Sequence, residues 1–208
     1  MFAAYGAVRE RIHARIGEFI ALWENGSEGD IFSELVFCLL TPGSKARSAS
    51  RALDAITRAG LLHGGGVSEL APHFNTVRFK NNKALNVVLA RELFCGCGSR
   101  GIRECLLQFP TTPERRDWLV QRVRGMGYKE ASHFLRNVGF CEGISILDRH
   151  VLKNLLALGL IDEIPASLTR RRYLAIEKMM ESYSGEIGIP LSHLDFVFWY
   201  KETGEIFK

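Results

Sequence analysis

The stretch VRGMGYKEASHF, residues 123–134, places two glycines around a single methionine, Gly125-Met126-Gly127, between two segments with helical periodicity. Glycine adopts positive φ without a steric penalty, so two glycines in three residues are typical of a very tight turn. The flanking segments, residues 112–124 and 129–138, carry apolar side chains at helical spacing. The sequence therefore predicts two antiparallel helices joined by this turn, a helix-hairpin-helix.

Helical periodicity extends over most of the remaining chain. The segment IFSELVFCLL, residues 31–40, is apolar nearly all round, which predicts a helix at the centre of the core. Further helices are predicted from residue 8 to 23 and at residues 44–60, 81–95, 101–108, 149–158, 167–184 and 191–203. No segment alternates apolar and polar residues long enough to predict a strand, so the expected fold class is all-α. The glycine-rich segment 60–69 is interpreted as a flexible linker.

The composition is that of an ordinary globular protein, with 47% hydrophobic residues, 24% charged residues and a formal net charge of +4. This mild charge does not by itself indicate a polyanionic partner. The five cysteines lie mostly in apolar helical contexts, which favours free thiols in a reducing compartment. No run approaches the roughly 20 apolar residues that a spanning helix needs. We therefore expect a cytoplasmic protein, near the nucleoid if DNA is its substrate, without a membrane partner.

The hairpin predicts a contact with DNA. Its turn points the backbone N–H groups of Gly125 and Gly127 outward at the start of the second helix, where the helix dipole also favours a phosphate. Arg124 lies beside the turn and favours the same partner. Lys129 lies in the first turn of the second helix, where the dipole disfavours an ammonium ion and favours a neutral, nucleophilic amine. Lys129 is therefore the candidate nucleophile, although a solvated lysine at a helix start remains the alternative.

Asp148 is the candidate partner of that amine. It precedes an apolar-periodic helix in SILDRHVLKNLLALG, residues 145–159, and is well placed to cap it, which would hold the carboxylate ionised. Most such aspartates are caps and nothing more. The 19 residues between the two positions, however, are enough for one helix, a turn and a return of the chain. We therefore expect the two helix N-termini to face one cleft.

The segments GMGYKEA and ILDRHV, taken together, resemble the helix-hairpin-helix DNA glycosylases. Lys129 falls on the lysine of that pattern, Asp148 on its aspartate and His150 on its histidine. The resemblance implies a single catalytic unit, residues 1–208, in which two helical lobes flank a DNA-binding cleft. A helical barrel of approximately residues 30–135 would end in the hairpin, and approximately residues 1–29 and 136–208 would form the second lobe.

Further segments, FSELVFCLLTPGSKA, VRFKNNKA and WYKETGEIFK, are similar to the second family of 8-oxoguanine DNA glycosylases, the compact type of archaea and some bacteria. This similarity implies a bifunctional enzyme. Lys129 would attack the sugar and form a Schiff base, Asp148 would stabilise positive charge, and β-elimination would cut the strand. No cofactor is required for this chemistry. We also expect no metal, because the Cys95-Gly96-Cys97 spacing is unusual for a structural zinc site and no fourth ligand lies near in the sequence.

The resemblance also assigns residues to base and DNA recognition. The terminal carboxylate of Lys208 would accept a hydrogen bond from the oxidised base, Trp199 would stack on that base, and His133 would face the same pocket. Phosphates would be bound by the hairpin, residues 124–127, and by Arg149 and His150 at the next helix start. The basic loop 78–83, in which Arg78, Lys80 and Lys83 surround Phe79, would fill the gap that the flipped base leaves; a plain exposed basic loop is the alternative. The expected partner is double-stranded DNA containing 8-oxoguanine, bound by a monomer.

Two alternatives remain open at this point. One is an endonuclease III-like enzyme for another lesion; because no cysteine follows Cys141, such an enzyme would lack the iron–sulfur cluster of that family. The other is a non-catalytic helix-hairpin-helix module that only binds DNA. The identity of the released base would separate the first alternative from the main hypothesis, and a covalent complex with DNA would exclude the second.

Overall fold

The structure, a computed structural model, describes residues 1–206 and contains no strand within them. The all-α fold class is therefore confirmed for this part of the chain. Lys208, to which the sequence assigns base recognition, lies outside the described residues. The helices are α1 (Phe2–Asn25), α2 (Glu28–Leu40), α3 (Ala46–Arg58), α4 (Val67–Leu70), a 3-10 helix (Ala71–Phe74), α5 (Lys80–Cys95), α6 (Ile102–Leu107), α7 (Thr112–Arg122), α8 (Tyr128–Asn137), α9 (Arg149–Ala157), α10 (Arg170–Ile187) and α11 (Leu191–Thr203).

Several helices begin at polar side chains that cap them. Ser27 and Asp30 form a capping box at the start of α2, in which the Ser27 backbone N–H donates to the Asp30 carboxylate at 2.8 Å. Thr111 and Glu114 form the same motif at the start of α7, with a distance of 3.0 Å. Each box satisfies N–H groups that have no partner within the helix, and losing such a cap typically costs about 1 kcal/mol.

The interpretation of residues 60–69 as a flexible linker is wrong. The last four of these residues already belong to or flank α4. The guanidinium of Arg91 donates hydrogen bonds to four backbone carbonyl groups of the preceding turn, those of Leu61, Leu62, Gly64 and Gly65. The side chain of Arg91 therefore holds the turn against α5. The glycine-rich composition of the turn does not indicate this contact.

Helix α2 lies at the centre of the larger core, as its sequence predicts. Nine of its residues, Ile31, Phe32 and Glu34 to Leu40, are buried. Around it pack α1, α3, α5, α6 and α8. Because α2 is covered on nearly every side, its C-terminus and the following turn, residues 41–44, are held firmly in place.

Two smaller cores complete the structure. One is formed by α9, α10, α11 and Leu147, with Tyr173, Met180 and Phe198 among its buried side chains. In the other, α1 packs along α11 through contacts that include Val8 and Phe196. The expected lobe boundaries stay a prediction. Within residues 1–206, no helix combines the length and apolar character that crossing a membrane requires.

Where α1 meets α11, the buried His193 predicts a dependence of stability on pH. The Tyr5 hydroxyl lies 3.0 Å from its Nδ1, and burial lowers the pKa of His193 to about 4, with the positive charges of His13 and Arg9 adding to the effect. The unfolded chain keeps a histidine pKa near 6.5 and so binds more protons between these two values. We expect the free energy of unfolding to fall as the pH drops from about 6.5 towards 4, by up to about 3 kcal/mol from this group.

Urea unfolding of the wild type and of His193→Gln at pH 7 and pH 4.5 measures this contribution. Glutamine still offers an acceptor to the Tyr5 hydroxyl but does not titrate. The wild type should lose more stability than the variant on acidification. Equal losses in the two proteins would show that His193 does not contribute to acid unfolding.

Candidate active site

A single cleft of about 910 Å³ lies between the turn after α2, the start of α8, the start of α9 and one face of α11. It contains six of the residues that the sequence singles out: Lys129, His133, Asp148, Arg149, His150 and Trp199. The cleft is also lined by residues 41–47 and by Arg78, Glu130, Arg136 and Asp195. The predicted meeting of two helix N-termini at one cleft is thus found in the structure.

Lys129 enters the cleft from the first turn of α8, and its side chain is 24% exposed. Its Nζ lies 3.4 Å from the Thr41 hydroxyl, to which it can donate a hydrogen bond, and 3.7 Å from the Glu130 carboxylate. The amine is thus half-buried and has few contacts, so it can reach a molecule in the cleft. The sequence did not predict Thr41 or Glu130 as residues of the site, although Glu130 is adjacent to Lys129 in the chain.

Asp148 is the N-cap of α9, as predicted. Its Oδ1 accepts hydrogen bonds from the backbone N–H groups of His150 and Val151, both at 2.8 Å. These two bonds cap α9 and fix the side-chain rotamer. Oδ2 has no hydrogen-bond partner among residues 1–206, so one oxygen of the carboxylate serves the helix and the other remains available in the cleft.

Two aromatic side chains, those of His133 and Trp199, line the cleft. His133 follows Lys129 by one helical turn, is buried and packs edge-on against Phe37 at 5.7 Å between ring centroids. Trp199 is held by an edge-on contact with His150 at 4.8 Å. The indole Nε1 of Trp199 is buried and has no hydrogen-bond partner in the part of the chain that the structure describes.

The cleft also contains an ion pair that the sequence did not predict. Arg136 Nη1 lies 2.5 Å from Asp195 Oδ2, and the guanidinium packs 4.2 Å from the centroid of the Phe196 ring. Burial raises the pKa of Asp195, Arg136 opposes this shift, and the nearby Asp148 carboxylate adds to it. Helical spacing could have identified both residues: Arg136 lies three positions after His133, and Asp195 four positions before Trp199. Their pairing across 59 residues has no local signature.

The two hairpin glycines have different roles. Gly125 has φ +85°, and a Cβ built there would lie 2.0 Å from the Asn86 side chain, so this position requires glycine. Gly127 has φ −91° and ψ −176°, an extended conformation open to any residue, and is the N-cap of α8. Only Gly125 therefore uses the positive φ that favours glycine in this turn. The N–H groups of Gly125 and Gly127 make no hydrogen bond to residues 1–206, which leaves them available to a ligand.

The hairpin geometry makes a testable prediction. Gly125→Ala should destabilise the protein by about 1–2 kcal/mol or more, because the left-handed conformation is strained for alanine and Asn86 must move. Gly127→Ala should cost less, since its Cβ would meet only the flexible end of Glu130, at 3.2 Å. Urea unfolding of both variants checks this difference. Equal destabilisation would contradict the assignment of separate roles.

The remaining predicted DNA contacts lie outside the cleft, and one of them must be corrected. Arg124 lines a separate shallow groove between α5 and α7. Phe79 is 62% exposed, adopts the left-handed conformation with φ 59°, and lies near the cleft rim beside Arg78. Lys83, by contrast, is buried and cannot contact DNA as part of a basic loop.

Lys83 instead fastens the turn that lines the cleft. Its Nζ donates to Leu40 O at 2.7 Å, Pro42 O at 2.8 Å and Ser44 Oγ at 2.9 Å. Burial lowers the pKa of Lys83 to about 8; the Glu130 carboxylate opposes this shift, and the positive charge of Lys129 adds to it. The Lys83 ammonium group thus interacts with carbonyl oxygens at the C-terminus of α2 and stabilises that end of the helix.

Within residues 1–206, no three histidine, cysteine, aspartate or glutamate side chains are grouped as metal ligands. Cys95 and Cys97 are exposed free thiols, whereas Cys105 is a buried one. The functional groups that line the cleft are therefore an amine, carboxylates, imidazoles and guanidinium groups.

Comparison with known proteins identifies the family. A sequence model of the family described as 8-oxoguanine DNA glycosylase matches residues 12–189. The chain belongs to the 8-oxoguanine DNA glycosylase family. A relative from Fusobacterium nucleatum, named 8-oxoguanine DNA glycosylase/AP lyase, is 46% identical, and the alignment covers 98% of this chain and 94% of the relative. A relative of the same name from Methanocaldococcus jannaschii is 37% identical over 97% of this chain and 93% of its own.

Solved structures of 8-oxoguanine DNA glycosylases have the same fold. The Thermotoga maritima enzyme matches with a TM-score of 0.86 at 32% identity, covering 98% of this chain and 94% of its own. The Methanocaldococcus jannaschii glycosylase/lyase, solved with a 15mer DNA containing 8-oxoguanine, also matches with a TM-score of 0.86, at 36% identity over 97% of this chain and 93% of that chain. The resemblance noted in the sequence is therefore confirmed. The alternatives of an endonuclease III-like enzyme and of a non-catalytic module are disfavoured.

Proposed function

We propose that this protein excises 8-oxoguanine from double-stranded DNA and then cleaves the strand at the resulting site, with Lys129 and Asp148 as its catalytic residues. The observation that carries the proposal is the placement of these two groups. Each lies at the beginning of its own helix, and both line one cleft. Near-complete alignment with glycosylase/AP lyase relatives supports the reaction type.

The first step requires the damaged nucleotide to leave the base stack. A cleft of about 910 Å³ is large enough for a nucleoside, and it is bordered by the amine and the carboxylate. The Lys129 amine attacks C1′ of the deoxyribose, and the electron pair of the N-glycosidic bond leaves with the base. The base acquires a proton as it departs. Thr41, 3.4 Å from the amine, orients the nucleophile in the free enzyme.

Asp148 supports this step electrostatically. Positive charge develops on the sugar as the glycosidic bond breaks, and a fixed carboxylate stabilises such charge without reorganising. The cap holds Oδ1, and Oδ2 lacks a protein partner among the described residues, so it is the oxygen that we assign to the sugar. The same oxygen accepts the proton that the attacking amine loses.

The second step follows from the product of the first. The amine bonded to C1′ opens the sugar ring and becomes a protonated Schiff base, which withdraws electrons from the neighbouring C2′. Asp148 returns the proton it took from the amine to the ring oxygen as the ring opens, and its carboxylate then takes a C2′ proton. A C2′–C3′ double bond forms, and the 3′ phosphate leaves with the electron pair of the C3′–O bond. Hydrolysis of the imine returns the lysine. Lys129 supplies the amine and Asp148 the carboxylate that this sequence needs, and water supplies the proton that the departing base acquires.

Recognition of the base is assigned to the aromatic residues that line the cleft. 8-Oxoguanine differs from guanine at C8 and at N7, which becomes a hydrogen-bond donor, so an acceptor aimed at that edge can distinguish the two. We assign stacking to Trp199 and lining of the pocket to His133, and we propose Lys208 as a further contact of the base. For Trp199, the partnerless Nε1 at the cleft supports contact with a ligand.

Binding of the duplex is assigned to the surfaces around the cleft. The available N–H groups of the hairpin, at Gly125 and Gly127, bind phosphate, with Arg124 beside them. Arg149 and His150, which line the cleft, bind the strand on the other side. The exposed Phe79 at the rim fills the space that the flipped base leaves. All of these groups come from one chain, so the proposal requires only a monomer.

A panel of duplexes tests the proposal. Each duplex carries one modified base: 8-oxoguanine, thymine glycol, uracil or none. We expect release of free 8-oxoguanine, followed by a strand break, and little reaction with the other duplexes. Release of thymine glycol with 8-oxoguanine left in place would support the endonuclease III-like alternative. Binding without release from any duplex would support a non-catalytic module.

A further inference from the structure

The two proposed catalytic residues belong to different helices, so something must fix the distance between them. Lys129 is carried by α8, and Asp148 follows a segment without helix or strand, residues 144–147, that leads into α9. One side chain of α10 contacts both α8 and the segment 144–147. That side chain is Tyr173.

The Tyr173 hydroxyl is fully buried and makes three polar contacts. It donates to the carbonyl oxygen of Ser145 at 2.5 Å and accepts from the backbone N–H of Leu147 at 3.3 Å. The third contact is with the Ser132 hydroxyl, at 3.4 Å. Ser132 lies three residues after Lys129 on α8, and Leu147 immediately precedes Asp148. One hydroxyl therefore lies between the helix of the amine and the backbone that leads to the carboxylate.

A buried ion pair reinforces the same junction. Glu177, one turn after Tyr173 on α10, accepts from both Nη atoms of Arg116 at 2.6 and 2.8 Å and from the backbone N–H of Ser145 at 2.7 Å. Arg116 Nη1 also lies 3.1 Å from the Ser132 hydroxyl. Because Arg116 belongs to α7, the first helix of the hairpin, the network joins the hairpin, α10 and the segment before Asp148.

The burial of this network makes it rigid. Arg116, Tyr173 and Ser132 are each at most 1% exposed, so water cannot replace their hydrogen bonds. Burial also raises the pKa of Tyr173, and the hydroxyl therefore keeps its proton at neutral pH and continues to donate to Ser145. The sequence gives no sign of this arrangement, whose members lie far apart in the chain.

We propose that Tyr173 is a positioning residue that sets the separation between Lys129 and Asp148. The proposal rests on the catalytic roles assigned to those two residues. Phenylalanine at this position would fill the same space but leave the Ser145 carbonyl and the Leu147 N–H without their common partner. The segment before Asp148 would then shift relative to α8. A displacement of about 1 Å in an active site can cost on the order of 10²-fold in rate.

The test compares Tyr173→Phe with Tyr183→Phe, a matched control on the same helix. Tyr183 packs against the same core and has no hydrogen bond to the described residues. Single-turnover release of 8-oxoguanine at saturating enzyme gives the rate constant. The fraction of active molecules is the share of the protein that borohydride traps on an excess of duplex containing 8-oxoguanine. For Tyr173→Phe we expect a rate constant lower by about tenfold or more, with an unchanged active fraction and an unchanged Kd for lesion-containing duplex. Tyr183→Phe should match the wild type.

Each other outcome has a definite meaning. A reduced active fraction with an unchanged rate constant would show that Tyr173 only stabilises the fold, and would overturn the proposal. If Tyr173→Phe does not fold, Ser132→Ala, which removes the contact on the side of α8, takes its place, and an unchanged rate constant in that variant would overturn the proposal equally. If the wild type neither releases the base nor forms a trapped complex, the proposed function itself fails.

Discussion

Lys129→Gln should abolish the covalent complex that borohydride traps with DNA containing 8-oxoguanine. Glutamine has nearly the length of lysine and stays polar, but its amide nitrogen cannot attack C1′ or form an imine. We expect the rate of base release to fall on the order of 10³-fold or more, since the variant loses the nucleophile itself. Affinity for the duplex should change little, because Lys129 is one of several positive groups around the cleft.

Lys178→Gln provides the control for this experiment, since Lys178 is an exposed lysine of α10 with no ion pair or hydrogen bond in the described structure. It should trap and cleave as the wild type does. Filter binding or fluorescence anisotropy of both variants separates a loss of chemistry from a loss of binding. Persistent trapping by Lys129→Gln would assign the nucleophile to another amine.

Asp148→Asn should separate the two tasks of the aspartate. Asparagine caps helices as well as aspartate does, so the free energy of unfolding should stay within about 0.5 kcal/mol of the wild type. The negative charge near the sugar, however, is lost. We expect single-turnover base release to fall by about 10²- to 10⁴-fold, the usual contribution of a general acid–base or electrostatic group.

Asp148→Ala is the companion variant, because it removes the cap as well as the charge. It should show the same loss of rate and, in addition, a loss of about 1 kcal/mol or more of stability in urea unfolding. This variant loses the two capping hydrogen bonds that the backbone N–H groups of His150 and Val151 donate to Asp148. Full activity in Asp148→Asn would mean that the residue acts only as a cap, which is the ordinary role of an aspartate at this position.

The helical scaffold was accessible from the sequence because its signals are local. The hairpin turn is marked by Gly125, the central helix by the continuous apolar run of residues 31–40, and the start of α9 by the capping position of Asp148. These features depend on the spacing of neighbouring residues, so each can be recognised within a short window. The placement of Lys129 and Asp148 at one cleft added a single long-range step, which the spacing of 19 residues indicated and the family resemblance then supported.

Features that depend on distant pairs were not accessible in the same way. Arg136 and Asp195 form an ion pair inside the cleft, yet each looks like an ordinary charged residue of an amphipathic helix. Lys83 reads as part of an exposed basic loop, because its neighbours Arg78 and Lys80 are charged, and only the tertiary structure buries it. Burial of a charge depends on the partners that surround it, which a local pattern does not contain.

The most direct test of the central claim is to locate the covalent bond itself. Wild-type protein is incubated with a duplex containing 8-oxoguanine in the presence of borohydride, the adduct is digested, and the modified peptide is sequenced by mass spectrometry. The account predicts that the reduced sugar is attached to Lys129 Nζ. Attachment to another lysine or to the N-terminal amine, or base release without any adduct, would contradict it.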